Sequence, residues 1–200
     1  MKIFFIVIFF IFIPINQLFA EEVSSWLKKE IDNILNAYKN DELSKEKRFI
    51  IIEDTINKNF AGAGIAKFIS GDSWSKADKK TKKEYIKLFK RHLALNIASM
   101  MQGYSNQKYN LRNSKYDSKN KVSLIDMEII NETGNLMITW RVKKSKDRFF
   151  VIDLLVADIS LVVTKRSEFN SMLKNVDNNL KKLNNLLLNQ NIDSYEKIIN

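Results

Sequence analysis

VIDLLVADISLVVTKRSEF, residues 151–169, decides the fold: nine aliphatic residues surround two aspartates and a serine, and the run then turns basic at Lys165 and Arg166. Dense aliphatic content broken at Ala157 and Asp158 reads as the last strands of a sheet, residues 151–163, bent at that point. Thr164 then begins the terminal helix, with Phe169 opening its buried stripe and Arg166 near the sheet end, placed to neutralise Asp153 or Asp158.

Upstream, residues 109–163 carry short apolar runs, YNLRNSKY, VSLIDMEII, LMITWRV and FFVIDLLV, with polar clusters between them. Such runs predict an antiparallel meander of three or four strands. Alternation places Ile138, Trp140 and Val142 on one face and Thr139 and Arg141 on the other, so one face meets helices and the other meets solvent or a partner.

Helices precede and follow this region. In GDSWSKADKKTKKEYIKLFKRHL, residues 71–93, Ser75 and Asp78 fit a capping box. Beyond it Tyr85, Leu88, Phe89, Leu93, Ile97, Met100 and Tyr104 trace one face of a long helix. The opposite face holds Lys79, Lys80, Lys82, Lys83, Lys87 and Lys90, a pattern a solvated helix face explains on its own. Two amphipathic helices are expected at 23–38 and 44–60, with a short helical piece around Ile65, Phe68 and Ile69 after AGAG. A last helix follows Met172, Leu173, Val176, Leu180, Leu183 and Leu187, and the Asn-rich tail is expected to fray from about residue 190.

The first twenty residues, MKIFFIVIFFIFIPINQLFA, run apolar behind Lys2 and end on Leu-Phe-Ala before two glutamates. They read as a secretory leader cleaved near Ala20, too short in apolar length to span a membrane. The expectation is a single exported domain, residues 21–200. Loss of the leader removes one lysine and no acid, leaving 32 basic residues against 23 acidic ones, a net +9 that favours anionic partners. Export argues against nucleic acid. With no cysteine there is no disulfide framework and no thiolate metal site, and with the only proline, Pro14, in the leader, long regular elements follow.

Catalytic motifs are sparse. His92 is the only histidine and cannot build a His-based metal site alone. Asp126 and Asp153 interrupt apolar strands; a carboxylate aimed into an apolar cavity could serve as a general base, as in small isomerases, although pairing with an arginine or a backbone amide explains it better. The enzyme expectation is therefore negative, with neither catalytic nor metal-ligating residues assigned.

Trp74, Phe89, Asp153, Ser160, Leu161, Arg166 and Phe169 stand in the order and spacing of a known pattern: a Trp before a Phe-rich helix, a late strand V-x-D-V-x-V-x-G-V-S-L-V, and a Tyr-Arg-x-x-Phe helix opening. Taken with the leader, these segments resemble the MlaC family, periplasmic phospholipid shuttles of Gram-negative bacteria also described as toluene-tolerance auxiliary proteins. Asp158 departs from the usual Gly, Lys165 from the usual Tyr, and Phe149 lies near a usual Trp. The resemblance implies an α+β fold in which a twisted antiparallel sheet of about four strands is wrapped by helices, like a nuclear-transport-factor-type (NTF2-like) cone, around an apolar lipid pocket. It further implies a monomer in the periplasm, helping to maintain outer-membrane lipid asymmetry without a cofactor. It would carry phospholipid between an inner-membrane ABC transporter complex, through that complex's lipid-binding subunit, and an outer-membrane lipoprotein complex. Candidate pocket residues are Phe68, Phe89, Leu93, Ile97, Met100, Met127, Ile138, Trp140, Val142, Leu155 and Leu161. Two alternatives are an isomerase-type enzyme on the same cone and a non-lipid periplasmic interaction module.

Overall fold

The computed structural model describes residues 15–104, 107–131 and 134–200, with side chains from residue 20 onward. Of the expected leader, residues 1–14 lie outside the described residues, and residues 15–20 form the start of the first helix, α1 (Ile15–Lys39). There follow α2 (Lys45–Asn59), α3 (Gly62–Ser70), the short α4 (Asp72–Lys76) and the long α5 (Lys79–Met101). Strands β1 (Lys108–Asp117), β2 (Val122–Ile130), β3 (Leu136–Ser145), β4 (Arg148–Val156) and β5 (Ile159–Ser160) come next, then α6 (Leu161–Lys174) and α7 (Leu180–Ile199). Among the described residues the fold is thus α+β, an open five-stranded antiparallel sheet in the order β1-β2-β3-β4-β5 with seven helices. The four long strands are the expected meander, and β5 is a two-residue addition.

Local chemistry sets the helix starts. Ser44 caps α2 by accepting from Lys47 N, and Asn179 caps α7 by accepting from Lys181 N and Lys182 N. For α5 the cap is Asp78 itself, which accepts from Thr81 N at 2.8 Å and from Thr81 Oγ1 at 2.9 Å. Ser75 lies inside α4, so the expected Ser75/Asp78 capping box does not form.

The deciding stretch bends where expected. Val156 pairs with Ile159, leaving a two-residue turn in which Ala157 has φ 46° and Asp158 φ 64°. Two positive φ values are what a type I′ hairpin needs, and Asp tolerates that region without glycine's freedom. Beyond the turn three expectations change. Leu161, Val162 and Val163 are the first turn of α6 rather than strand, because Ser160 accepts from Val163 N and Asp153 accepts from Val162 N. The expected single last helix is two, α6 and α7, separated by a turn in which Asp177 and Asn178 have φ 57° and 54°. Nor does the tail fray at 190: α7 runs to Ile199, with Ile198 buried and Asn191 Nδ2 donating to Leu88 O.

Two register shifts curve the sheet, one in β1 between Leu111 and Ser114, the other where Arg141 and Val142 oppose Asp153 and Val151. Three apolar clusters result. One joins α3, α5, α6 and α7 around Tyr85, Phe89 and Phe169; one joins α2, α5 and α7 around Phe49, Ile52 and Leu95; the third lies between α1 and the sheet. Phe60 packs against all three. It is pinned by a bridge to Val151 and by Ala61 N donating to Val151 O at 2.9 Å.

Candidate functional site

The seam between α1 and the sheet gathers much of the expected pocket. Val23, Leu27 and Ile31, spaced one helical turn apart, are buried against Ile125 and Met127 of β2, Ile138 and Val142 of β3, and Phe149 and Val151 of β4. Trp26, Phe60 and Trp140 are partly buried around them, and the Trp26 ring centroid lies 5.5 Å from that of Phe149. Strand alternation explains the set, since residues 138, 140 and 142 share one face and residues 125, 127 and 129 share the matching face of β2.

Polar clasps hold the rim of this seam. Tyr109 Oη donates to Asp32 Oδ1 at 2.6 Å, Lys28 Nζ donates to Asp32 Oδ2 at 2.6 Å, and Asn59 Nδ2 donates to Glu30 at 2.6 Å. Burial pushes the Asp32 carboxyl up, but the hydrogen bonds from Lys28 and Tyr109 outweigh it and hold the group below the usual carboxylate range. Burial, reinforced by the bond to Asp32, raises the Tyr109 hydroxyl. Inside the seam one donor is unmet: Trp140 Nε1 is buried with no hydrogen-bond partner. An unmatched buried N–H costs on the order of 1–3 kcal/mol, which an incoming acceptor would recover.

Met127, Ile138, Trp140 and Val142 thus stand together. Phe89 and Leu93 lie in the helical cluster of α3, α5, α6 and α7, and Leu93 and Ile97 border the cluster of α2, α5 and α7; both clusters touch the seam through Phe60. The other four candidates lie elsewhere. Phe68 is 44% exposed beneath the Arg166 guanidinium, 4.3 Å from its ring centroid, and Met100 is 70% exposed. Leu155 pairs with Thr139, on the sheet face opposite Ile138 and Trp140. Leu161 opens α6, where its neighbour Val162 is the residue packed on the helical cluster. Sequence reading missed Val23, Leu27 and Phe60 as pocket neighbours. An aromatic residue at the end of α2, just before AGAG, was the available signal for Phe60.

The two suspect aspartates are tied into the frame. Asp153, 3% exposed, accepts from Leu154 N at 2.9 Å, Val162 N at 3.1 Å and Ser160 Oγ at 2.7 Å, and pairs with Arg141 at 3.3 Å. Its cation is therefore Arg141; Arg166 stacks on Phe68 instead of neutralising Asp153 or Asp158. Asp126 accepts from Thr139 Oγ1 at 2.7 Å. His92 packs edge-on to Phe169 with centroids 5.6 Å apart; burial, then the Lys165 charge, holds its imidazole down to about 4 against the opposing pull of the Asn191 side-chain oxygen and the Glu168 charge. Among the described residues no group of three or more His, Asp or Glu is arranged to hold a metal ion, and no helix is long and apolar enough to cross a membrane.

A search of the curated proteins returned no match. Among solved structures, the chain resembles a phospholipid-binding protein from Ralstonia solanacearum, determined in complex with a phospholipid. The TM-score is 0.71 and the identity 16%, covering 84% of this chain and 96% of the other. That likeness establishes the shared fold. The family model for MlaC protein matches residues 28–187, a span running from α1 into the first two turns of α7, and the chain therefore belongs to the MlaC family.

Proposed function

We propose that this chain is a periplasmic phospholipid carrier that holds acyl chains non-covalently in the seam between α1 and the sheet. One observation carries the site: an apolar layer of Met127, Ile138 and Val142 encloses a buried indole N–H, on Trp140, that has no acceptor. A phospholipid offers apolar chains to the layer and ester or phosphate oxygens to the N–H. Membership of the MlaC family and the fold shared with a phospholipid-bound protein support the same reading.

Energetics explain why a carrier is needed. Two acyl chains hold roughly 30 methylenes, and at about 0.8 kcal/mol each their exposure to water costs on the order of 24 kcal/mol. A pocket must replace most of that burial yet release its cargo, which favours an adaptable lining residue such as Met127 over a rigid mould. Phe89, Leu93 and Ile97, in the helical clusters beyond Phe60, belong to the frame, and Phe68, Met100, Leu155 and Leu161 also lie outside this path. A polar groove along α1 is lined by Ser25, Lys28, Lys29, Glu30, Asp32, Asn33, Asn36 and Lys58; Lys28 is paired with Asp32 there, so Lys29 and Lys58 are the lysines it offers to a phosphate. No bond is made or broken in this function. In the finer version the carrier collects phospholipid at an inner-membrane ABC transporter complex and exchanges it with an outer-membrane lipoprotein complex.

Organic extraction of the purified protein with mass spectrometry tests the reading. Phospholipid in the extract, and its reuptake from liposomes by delipidated protein, is the expected result. Lipid-free protein that takes up none overturns it.

A further inference from the structure

Two helices of the frame leave an uncovered surface of unusual charge. Helices α5 and α7 run parallel, in register, because Asn184 Nδ2 donates to Thr81 O at 3.1 Å and Asn191 Nδ2, seven residues on, donates to Leu88 O at 3.0 Å, also seven residues on. Residues seven apart on a helix share a face. In the second half of the pair that shared side is covered by α2: Ala94 and Ala98 are buried in its cluster, Arg91 pairs with Glu53 at 2.8 Å, and Tyr195 packs on Phe49 at 5.1 Å. One heptad earlier the same rows hold Lys80 and Lys87 before Ala94, Glu84 before Arg91, and Lys181 and Leu188 before Tyr195. Nothing among the described elements covers them there, and Lys80, Lys83, Lys87, Lys181 and Leu188 are all exposed.

The charge is concentrated. Residues 76–91 carry eight Lys and Arg against two acids, Asp78 and Glu84, a net +6 of the chain's +10. Asp78 is committed to capping α5 and Glu84 accepts from Asn184, while Lys80, Lys83 and Lys87 enter no ion pair among the described residues. Lys79, Lys83 and Lys87 sit at successive i, i+4 steps, an arrangement that disfavours the helix. Beside them Leu188 and Ile192 are 46% and 48% exposed.

We propose that this face, the first half of α5 with Lys181, Leu188 and Ile192 of α7, docks on an anionic phospholipid bilayer. Lysines bordering aliphatic side chains suit such a surface, where each point charge attracts head groups without a fixed partner and the aliphatic groups enter the head-group boundary. Protein interfaces favour Arg and aromatic anchors and are depleted of Lys, and this face offers lysines with Leu and Ile. The face is separate from the α1 seam, so the docking does not depend on the cargo reading.

Co-flotation of the full chain with phosphatidylcholine vesicles, with and without phosphatidylglycerol, tests it. Binding is expected only to the anionic vesicles, reversed by salt, and weakened on the order of 100-fold in K80Q/K83Q/K87Q. The charge-conserving K80R/K83R/K87R retains it, and both variants keep the wild-type circular dichroism and extractable lipid. Equal binding to neutral vesicles, insensitivity to the glutamine substitutions, or an acidic protein captured by these lysines with no vesicle binding overturns the proposal. Lipid-free protein that still floats would sink the carrier reading and leave this one standing.

Discussion

The α5–α7 pair and the α1–sheet seam bury comparable side chains by different means. The helix pair is locked: Asn184 and Asn191 each spend a buried donor on a facing carbonyl one heptad apart, so a slip of either helix strands two polar groups. The seam has no such lock in its interior. Its contacts there are apolar, its one buried indole donor is unmet, and its polar bonds, Tyr109 to Asp32 and Asn59 to Glu30, lie at the rim. Apolar packing is non-directional and tolerates rearrangement at constant volume, whereas a hydrogen-bonded register does not. One region therefore serves as frame and the other as the part that yields to cargo.

Breaking the frame should cost stability first. Phe89→Ala removes a fully buried ring from the cluster of α3, α5, α6 and α7 and should lower unfolding stability by about 3–5 kcal/mol in urea titration. Asp153→Ala cuts the junction where β4 meets α6, leaving Ser160 Oγ, Val162 N and Arg141 without their acceptor; a loss of roughly 3 kcal/mol is expected. His92 gives the frame a pH dependence. Its folded value of about 4 lies below the ordinary 6.5, so the unfolded chain takes up the proton first. The contribution is whole above pH 6.5 and is lost as pH falls toward 4, by up to about 3 kcal/mol, and His92→Gln should flatten the difference in urea midpoint between pH 7 and 4.5.

The seam should answer differently. Trp140→Phe deletes the unmet N–H, so stability should change by less than about 1 kcal/mol while phospholipid retention falls; unchanged retention would remove that donor from the site. The smallest effect belongs to the hairpin: Ala157→Gly relieves a positive φ and should stabilise by about 1 kcal/mol, with the lipid content untouched.

Much of this frame is legible in the sequence. Alternation in LMITWRV puts Ile138, Trp140 and Val142 on one face, and the break at Ala157 and Asp158 marks the hairpin. The start of α6 is not legible by the same rule, because Val162 and Val163 carry strand propensity and only the cap from Ser160, with Asp153 holding Val162 N, overrides it. Arg166 was misassigned on charge alone. A planar guanidinium can stack on a ring as readily as it pairs with a carboxylate, and Arg141, two strand positions from Thr139, already faces Asp153 across the ladder. Helical spacing shows that Val23, Leu27 and Ile31 form a stripe but not which surface the stripe covers, so the seam and its junction at Phe60 needed the tertiary structure.

The three tryptophans separate the two regions, since Trp26 and Trp140 border the seam and Trp74 borders the frame. Quenching by phospholipids brominated along the acyl chain therefore tests the central claim most directly. The account predicts strong quenching in Trp74→Phe, where only the seam indoles remain, and unchanged emission from Trp74 in W26F/W140F at matched lipid content. Quenching of Trp74 with the seam indoles unaffected would place the cargo among the helices and contradict it.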